Sequence, residues 1–175
     1  MIIFIVLYAV LLLGMGGFFF AMLGSLGSGA PFVPTGGAAM RAIFKQWPMR
    51  SGEVFYELGS GDGRVARLAA AQGARAVGFE RSRILVLWSR LVSWVNQDLT
   101  RYVRGNFLSA DLSAADTVFC YLFPHLMSKL VPKFEKELRP GTRIISRAFK
   151  LPGWTPVERL QFSHRSPPVY LYLVK

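Results

Sequence analysis

One glycine-rich stretch constrains the fold of this chain more than any other feature. Residues 54–66 read VFYELGSGDGRVA, an apolar run that ends in a carboxylate and then passes through three alternating glycines. Glycine lets the backbone turn sharply and approach a ligand without obstruction by a Cβ atom. Where such a turn joins a strand to a helix, free backbone N–H groups point into a ligand crevice. The stretch therefore predicts a nucleotide-type binding loop.

Apolar and charged residues are segregated along the chain. Residues 1–40 carry no charged side chain, so all 21 basic and 10 acidic residues lie in 41–175. Residues 1–23 are almost entirely apolar, and about 20 apolar residues suffice to cross a bilayer as a helix. A cleaved signal peptide would need a basic start and a shorter apolar run. We predict a transmembrane anchor at 1–23, a linker at 24–37 and one domain at 38–175.

The basic residues indicate an orientation and a partner. Arg41, Lys45 and Arg50 follow the predicted span and nothing basic precedes it, so the positive-inside rule places the domain in the cytoplasm. The predicted location is the inner (cytoplasmic) membrane, with a single pass. The net charge of +11 would suit nucleic acid, anionic lipid or an acidic partner. For a tethered domain, the lipid bilayer is the preferred interpretation.

Strand and helix patterns alternate through the domain. Alternation followed by a terminal strand pair is typical of an α/β fold, here a Rossmann-like, seven-strand, mostly parallel sheet with helices on both faces. Ser82 is the predicted N-cap of the third helix, and Pro132 is expected to kink or split the fourth. No crossover helix is predicted between residues 149 and 154. The predicted strands are 53–58, 76–79, 101–104, 117–122, 142–149, 154–162 and 169–174; the first three helices are 38–47, 63–72 and 82–96, the fourth begins at Pro124, and the face of 82–96 expected to be buried comprises Ile84, Leu85, Leu87, Trp88, Leu91 and Val95.

Two cofactor fingerprints overlap in the glycine-rich stretch. Residues 61–66 fit the dinucleotide pattern G-x-G-x-x-A, with Glu80 as the later acidic residue, and residues 57–63 fit the acid-x-G-x-G-x-G pattern of S-adenosylmethionine (SAM) binding. A pyrophosphate favours positive potential, whereas Asp62 adds a carboxylate. SAM has no phosphate and carries an ammonium and a sulfonium, which Glu57 and Asp62 would attract. This favours SAM, although Glu57 could instead cap the turn and Glu80 could be a solvated strand-end acid.

The chain resembles the class I, seven-strand SAM-dependent methyltransferases. More closely, it resembles the membrane-anchored lysine methyltransferases that act on the ATP synthase c-subunit and the adenine nucleotide translocase, together with their prokaryotic relatives. The matching features, in order, are the apolar N-terminus, PFVPT at 31–35, ELGSGDGR at 57–64, VGFE at 77–80, WSR at 88–90, FP at 123–124 and WTP at 154–156.

The resemblance implies roles for individual residues. The cofactor-binding set would include the loop, with the methionine end lined by Glu57, Gly59, Gly61 and Asp62, the ribose held by Glu80 and the adenine contacted by Asn106. Pro34 and Thr35 would cover the cofactor, and residues 121–124 would form the floor of the acceptor pocket. The complete predicted cofactor set is Glu57, Gly59, Ser60, Gly61, Asp62, Gly63, Glu80, Asn106 and Thr35.

We therefore predict a membrane-anchored methyltransferase that acts on a protein lysine of a membrane or membrane-associated protein. Tyr121 and Phe123 could wall a channel that holds the amine by cation–π attraction, or could simply pack in the core at the end of their strand. Pro124 lies beside them, and His125 could be a proton acceptor or simply a surface histidine. One cysteine and two histidines are too few for a metal cluster.

The alternative acceptors are RNA, lipid or a small molecule, and another alternative is a non-catalytic SAM-binding membrane module. The basic stretch 75–104 would serve RNA or anionic lipid equally. The chain lacks the Asn/Asp-Pro-Pro-aromatic signature of amide and base methylation, which argues against a DNA base.

Overall fold

The seven strands form one sheet in which the first strand lies near the centre. The computed structural model describes Phe4, Tyr8 and residues 36–164 and 166–175. The strand order is β3-β2-β1-β4-β5-β7-β6. Strands β1 to β5 are parallel, while β7 is antiparallel to both β5 and β6. The bounds are β1 Val54–Leu58, β2 Arg75–Glu80, β3 Arg101–Arg104, β4 Thr117–Cys120, β5 Arg143–Arg147, β6 Glu158–Leu160 and β7 Val169–Leu173.

Helices cover both faces of this sheet, which confirms the predicted α/β architecture. They are α1 Gly37–Gln46, α2 Arg64–Ala70, α3 Arg83–Val95 and α4 Pro124–Glu137, with a 3-10 helix at Phe107–Ser109. One core contains buried residues of α1, α2 and α3, including Phe44, Ala66 and Val86. The second core contains α4 and the 3-10 helix, through residues such as Phe134 and Phe107.

The predicted membrane anchor at 1–23 lies outside the described residues, apart from Phe4 and Tyr8, and most of the predicted linker does too. In the part of the chain that the structure describes, no helix combines the length and the apolar character needed to cross a bilayer. The domain described here belongs to the compact unit Pro34–Lys175.

Local signals predicted several helix ends and one connection correctly. The Ser82 side chain accepts a hydrogen bond from the backbone N–H of Leu85 (3.4 Å), as an N-cap should, and Pro124 opens α4. Between β5 and β6 the described chain has no helix. Leu151 covers the core there, and its N–H donates to the Tyr172 hydroxyl (3.0 Å).

The predicted split at Pro132 was wrong, because α4 runs through it as one helix, and a kink there stays a prediction. Proline removes one helical hydrogen bond and strains the preceding turn. Here Pro132 is on the exposed side of the helix, while Leu130 and Phe134 on either side of it are buried in the core. Packing of the flanking turns therefore overrides the local cost.

The predicted orientation of α3 was also wrong. Of the six residues expected on its buried face, only Leu85 is buried. The helix instead packs through Leu85, Val86, Ser89 and Ser93, because small side chains allow it to lie close to the glycine-rich loop, where the Ser89 hydroxyl donates to the Gly61 carbonyl (3.2 Å). The residues that are exposed instead are Ile84, Leu87, Trp88, Leu91 and Val95.

A pair of glycine substitutions tests how tightly the loop packs. Gly63 and Gly141 both have positive φ, 75° and 85°. A Cβ at Gly63 would overlap the Tyr102 ring, whereas nothing lies within 4 Å of one at Gly141. We expect Gly141→Ala to cost about 1–2 kcal/mol from backbone strain alone, and Gly63→Ala to cost about 1–3 kcal/mol more from overpacking. Urea unfolding under identical conditions measures both, and equal losses would contradict the proposed close packing.

Candidate active site

The glycine-rich loop after β1 is held directly against β2. The backbone N–H groups of Gly59 and Ser60 both donate to the Phe79 carbonyl, at 2.9 and 3.0 Å. A Cβ added to Gly78 would lie 2.7 Å from the Ser60 Cβ, so only glycine fits at this point of β2. The Ser60 side chain thus lies against the strand, its carbonyl accepts from the N–H of Gly63 (2.8 Å), and its contact with the cofactor stays a prediction.

Glu80 fastens the loop from the carboxyl end of β2. One of its carboxylate oxygens accepts from the N–H of Gly61 (3.0 Å), and the other accepts from the N–H of Ser82 (2.8 Å). Both oxygens of Glu80 therefore bond to the backbone around the loop. The interpretation of Glu80 as a solvated acid at the end of a strand was wrong. Each carboxylate oxygen has a further lone pair, so Glu80 retains the capacity to accept from two ligand hydroxyls.

Asn106 is at the same edge, at the end of β3. The N–H of Gly105 donates to the Glu80 carbonyl (2.9 Å), which fixes this turn next to the loop. The Asn106 side-chain oxygen accepts from the N–H of Leu108 (3.1 Å) and caps the 3-10 helix. Its amide nitrogen is the group that could reach a ligand, and the adenine contact stays a prediction.

Glu57 is a buried carboxylate at the end of β1, with 4% of its surface exposed. One oxygen accepts from the N–H of Ala66 (2.9 Å). Glu57 therefore caps the first turn of α2, which was the alternative to a purely ligand-binding role. Burial raises the pKa of the Glu57 carboxyl well above its ordinary value, and the charges of Asp62 and Glu80 raise it further. A carboxylate in this setting gains most from a cationic ligand.

Asp62 has a different environment, because its carboxylate is paired with Arg64. The Arg64 Nε lies 2.9 and 2.8 Å from the two carboxylate oxygens, and the Nη2 of Arg64 completes the pair. The guanidinium of Arg67 donates to the Asp62 carbonyl (2.8 Å). The charge of Asp62 is thus largely balanced within the loop, and its contact with the methionine end stays a prediction.

Aromatic side chains gather where β4 ends, at the same edge of the sheet. Tyr121 and Phe123 are half-buried; the Phe123 ring centroid lies 6.2 Å from that of Phe149 and 6.2 Å from that of His125, which is exposed. Pro124 follows at the start of α4. Because β4 pairs with β1, these residues border the loop. All predicted site residues come to one edge, except Pro34 and Thr35, which lie outside the described residues.

Sequence reasoning missed Arg147, the last residue of β5. Its guanidinium lies 5.3 Å from the centroid of the Tyr121 ring, it is buried, and its Nε has no hydrogen-bond partner in the described part of the protein. Ala148 after it has φ 70°, which is unusual for a residue other than glycine. The predicted strand 142–149 put Arg147 inside a strand rather than at its end, so it was not considered as a site residue. Its charge, two positions after the apolar pair Ile144 and Ile145, was the signal that could have identified it.

The chain matches a known family over most of the domain just described. The family model described as the ANTKMT methyltransferase domain matches residues 57–158. The chain belongs to this family. It is therefore a methyltransferase and its cofactor is SAM, which fits a loop edge built around the carboxylates of Glu57 and Glu80.

Similar proteins support this assignment. A protein-lysine N-methyltransferase of Saccharolobus islandicus is 33% identical over 150 residues, 82% of this chain and 93% of that protein. An ATP synthase c-subunit lysine N-methyltransferase of Xenopus laevis is 31% identical over 128 residues, 72% of this chain and 56% of that protein. The chain thus spans little more than half the length of the Xenopus laevis relative.

A solved structure agrees in fold and cofactor class. An RNA methyltransferase from Salinibacter ruber in complex with S-adenosyl-L-homocysteine superposes with a TM-score of 0.76 and is 31% identical, covering 81% of this chain and 94% of that one. The methyltransferase fold is thus supported by a homologous structure that contains the demethylated cofactor.

The buried carboxylate predicts a pH-dependent stability. The folded-state pKa of Glu57 is raised, so its contribution to stability is complete below the unfolded pKa of about 4.3 and is lost as the pH rises through the folded pKa. In Glu57→Gln the amide oxygen can still accept from Ala66, and no ionisation cost remains. Without SAM, we expect the variant to gain stability relative to the wild type between pH 5 and pH 8. Denaturant unfolding at both pH values measures this.

The matched control is Glu135→Gln, which removes the same charge at an exposed position on α4. A stability difference between Glu57→Gln and the wild type that stays constant across this pH range would contradict the assignment.

Proposed function

We propose that this protein transfers the methyl group of SAM to the ε-amine of a lysine in another protein. The observation that carries the proposal is the ring pair of Phe123 and Phe149, with Tyr121 next to the Arg147 guanidinium, where β4 and β5 end beside the cofactor loop. Aromatic faces attract a cationic amine and contribute about 0.5–2 kcal/mol to holding it. They also provide the apolar wall that such an acceptor requires.

Methyl transfer makes limited demands on the side chains. SAM supplies the methyl group, already activated by its sulfonium. The chain has to align the amine with that group and exclude water. The amine must be neutral to attack, and apolar surroundings lower its pKa. The buried guanidinium of Arg147 next to Tyr121 adds a positive charge that further disfavours the ammonium form. His125 is exposed. Its role as proton acceptor stays a prediction, since the proton can also leave to water.

We propose further that residues 1–23 anchor the enzyme in the inner (cytoplasmic) membrane, with the domain in the cytoplasm. The support is the 40-residue start of the chain without a charged side chain and the basic residues that follow it. Tethering raises the local concentration of membrane and membrane-associated proteins at the active site. Such proteins are the proposed acceptors, and relatives named for the ATP synthase c-subunit and the adenine nucleotide translocase have protein acceptors by their names.

RNA is the second candidate acceptor. It is favoured by the Salinibacter ruber protein, which is described as an RNA methyltransferase and is 31% identical, and by the arginines around α3. The protein-lysine enzyme of Saccharolobus islandicus has a similar identity, 33%, and the match covers 93% of that protein. Aromatic rings stack nucleobases as well as amines, so the preference for the amine rests on the relatives named as lysine methyltransferases.

Incubation of the purified protein with methyl-labelled SAM and a membrane extract that retains its RNA distinguishes the candidates. We expect label in a protein band that yields methyl-lysine on hydrolysis. Label in RNA, in lipid or in a small molecule would overturn the lysine assignment. SAM binding without transferred label would instead indicate a non-catalytic SAM-binding module.

Replacement of Glu80 tests the cofactor side of the site. Glu80→Gln keeps an oxygen for one of the two backbone donors but removes the charge that would strengthen hydrogen bonds from ligand hydroxyls. Loss of one charge-assisted bond of about 1.5–3 kcal/mol should weaken SAM binding about 10- to 100-fold. Isothermal titration calorimetry measures the affinity, with Glu135→Gln as control. Unchanged affinity would show that Glu80 does not contact the cofactor.

Replacement of Phe123 tests the acceptor side. Phe123→Leu keeps an apolar side chain but removes the aromatic face. We expect kcat/KM for the lysine substrate to fall about 3- to 30-fold through loss of the cation–π contribution, with SAM affinity unchanged. Steady-state kinetics and calorimetry on the same variant measure the two effects. A fall in SAM affinity alone would place Phe123 at the cofactor instead.

A further inference from the structure

Helix α3 presents its apolar side to the surroundings. We use the term outer stripe for the exposed apolar residues that follow one side of this helix and its end. Trp94 is 77% exposed and Leu99 is 97% exposed, and the other members are at least 45% exposed. A contiguous apolar surface of this kind marks an interaction site in soluble domains. The outer stripe comprises Ile84, Leu87, Trp88, Leu91, Trp94, Val95 and Leu99.

The orientation of α3 is fixed by specific contacts. On its inner side, Ser89 donates to the Gly61 carbonyl (3.2 Å) and Ser93 lies 3.4 Å from the Tyr102 hydroxyl. At its edge, the Arg90 guanidinium donates to the Tyr102 carbonyl (2.7 Å). Rotating the helix to bury the outer stripe would break these bonds and push tryptophan into the space occupied by serine. The outer stripe is therefore a stable surface of the domain.

The sequence segment that contains the outer stripe is almost entirely positive in charge. Residues 81–104 contain five arginines and one carboxylate, Asp98; Arg101 is on the other face of the sheet, in register with Val77, and is not counted toward the surface of α3. Arg83 and Arg90 are on α3 itself and are exposed. Each basic residue near an anionic membrane surface contributes about 1 kcal/mol to binding. The five arginines are Arg81, Arg83, Arg90, Arg101 and Arg104.

The geometry suits a bilayer surface. Thirteen helical residues extend about 20 Å, too short to cross a hydrocarbon core of about 30 Å. A helix with tryptophan and leucine on one side and arginine beside them is typical of one that lies in the headgroup region. Tryptophan also favours the membrane–water boundary.

The start of α1 lies near the end of α3. Gly37, at the start of α1, lines one cavity together with Asn96 and Asp98, at the end of α3. The first helix of the domain therefore begins near the end of α3. The chain that precedes Gly37 carries no charged side chain back to Met1.

We propose that α3 docks on an anionic lipid surface, with the outer stripe at the acyl-chain boundary and its arginines on lipid phosphates. Because Ser82 and Ser89 connect α3 to Glu80 and Gly61, this docking would hold the cofactor edge beside the membrane. The inference extends the proposed anchoring and does not depend on the lysine acceptor.

A pair of probe positions tests the docking in the full chain. Leu91→Cys and Val157→Cys carry a fluorescent probe at positions with similar exposure, 51% and 58%, and Val157 directly precedes β6 at the opposite edge of the sheet. The native Cys120 does not compete for label, because burial raises the pKa of its thiol to about 12. Both proteins are reconstituted in phosphatidylglycerol vesicles that contain acyl-chain-brominated lipid.

We expect brominated lipid to quench the probe at residue 91 at least about twofold more than the probe at residue 157, because only the former reaches the acyl boundary. Aqueous iodide should show the reverse preference. Exchange of phosphatidylglycerol for phosphatidylcholine, or the double variant Arg81→Gln with Arg83→Gln at the exposed start of α3, should reduce the lipid quenching at residue 91. Any tether at the N-terminus is common to both proteins, so the difference reports on α3.

Three results would overturn the proposal. Access of iodide to the probe at residue 91 in vesicles would mean that the outer stripe faces water. Shielding from both quenchers would mean that protein covers it, either residues 1–35 of this chain or a second copy. Shielding by added RNA in preference to lipid would identify a nucleic-acid surface. Methyl transfer to lysine is measured separately, so failure of the docking is distinguishable from failure of the proposed function.

Discussion

The close approach of the glycine-rich loop to its neighbours is the constraint on which the rest of the domain depends. Its N–H groups at Gly59 and Ser60 share one carbonyl of β2, and Glu80 accepts from Gly61. Its carbonyls at Gly61 and Gly63 accept from the hydroxyls of Ser89 and Tyr102 (3.2 and 3.1 Å). Buried backbone groups need such partners. Because β2, β3 and α3 supply them, the loop has its shape before any ligand arrives, and binding need not pay to order it.

The same packing explains why charge accumulates at this edge. Glu57 is both the cap of α2 and a buried acid, so one carboxylate supports the fold and carries an electrostatic cost. Asp62 avoids that cost by pairing with Arg64. A ligand that brings positive charge would compensate the Glu57 carboxylate. Stability of the free domain and affinity for a cationic cofactor are therefore opposed at a single residue.

Most of the architecture followed from the sequence, since alternating strands and helices with a closing hairpin leave few arrangements of a sheet. The site residues followed from their places at strand ends. The orientation of α3 did not, because apolar periodicity shows that a helix has two unlike sides but not which one meets the sheet; hydroxyls at Ser89 and Ser93 decided it. Arg147 was hidden by a misplaced strand end, and the effect of Pro132 depended on packing that no local pattern encodes.

The position of β1 in the sheet has a consequence for synthesis of the chain. Phe55 pairs with Ala76 on one side and with Thr117 on the other. On the ribosome the first partner appears soon after β1, but the second is made only when residues 117–120 emerge. Until then one edge of the central strand is open, and an open apolar edge is a template for mispairing. The nascent chain is most vulnerable to aggregation during this interval, although the loop that will bind the cofactor has already been translated.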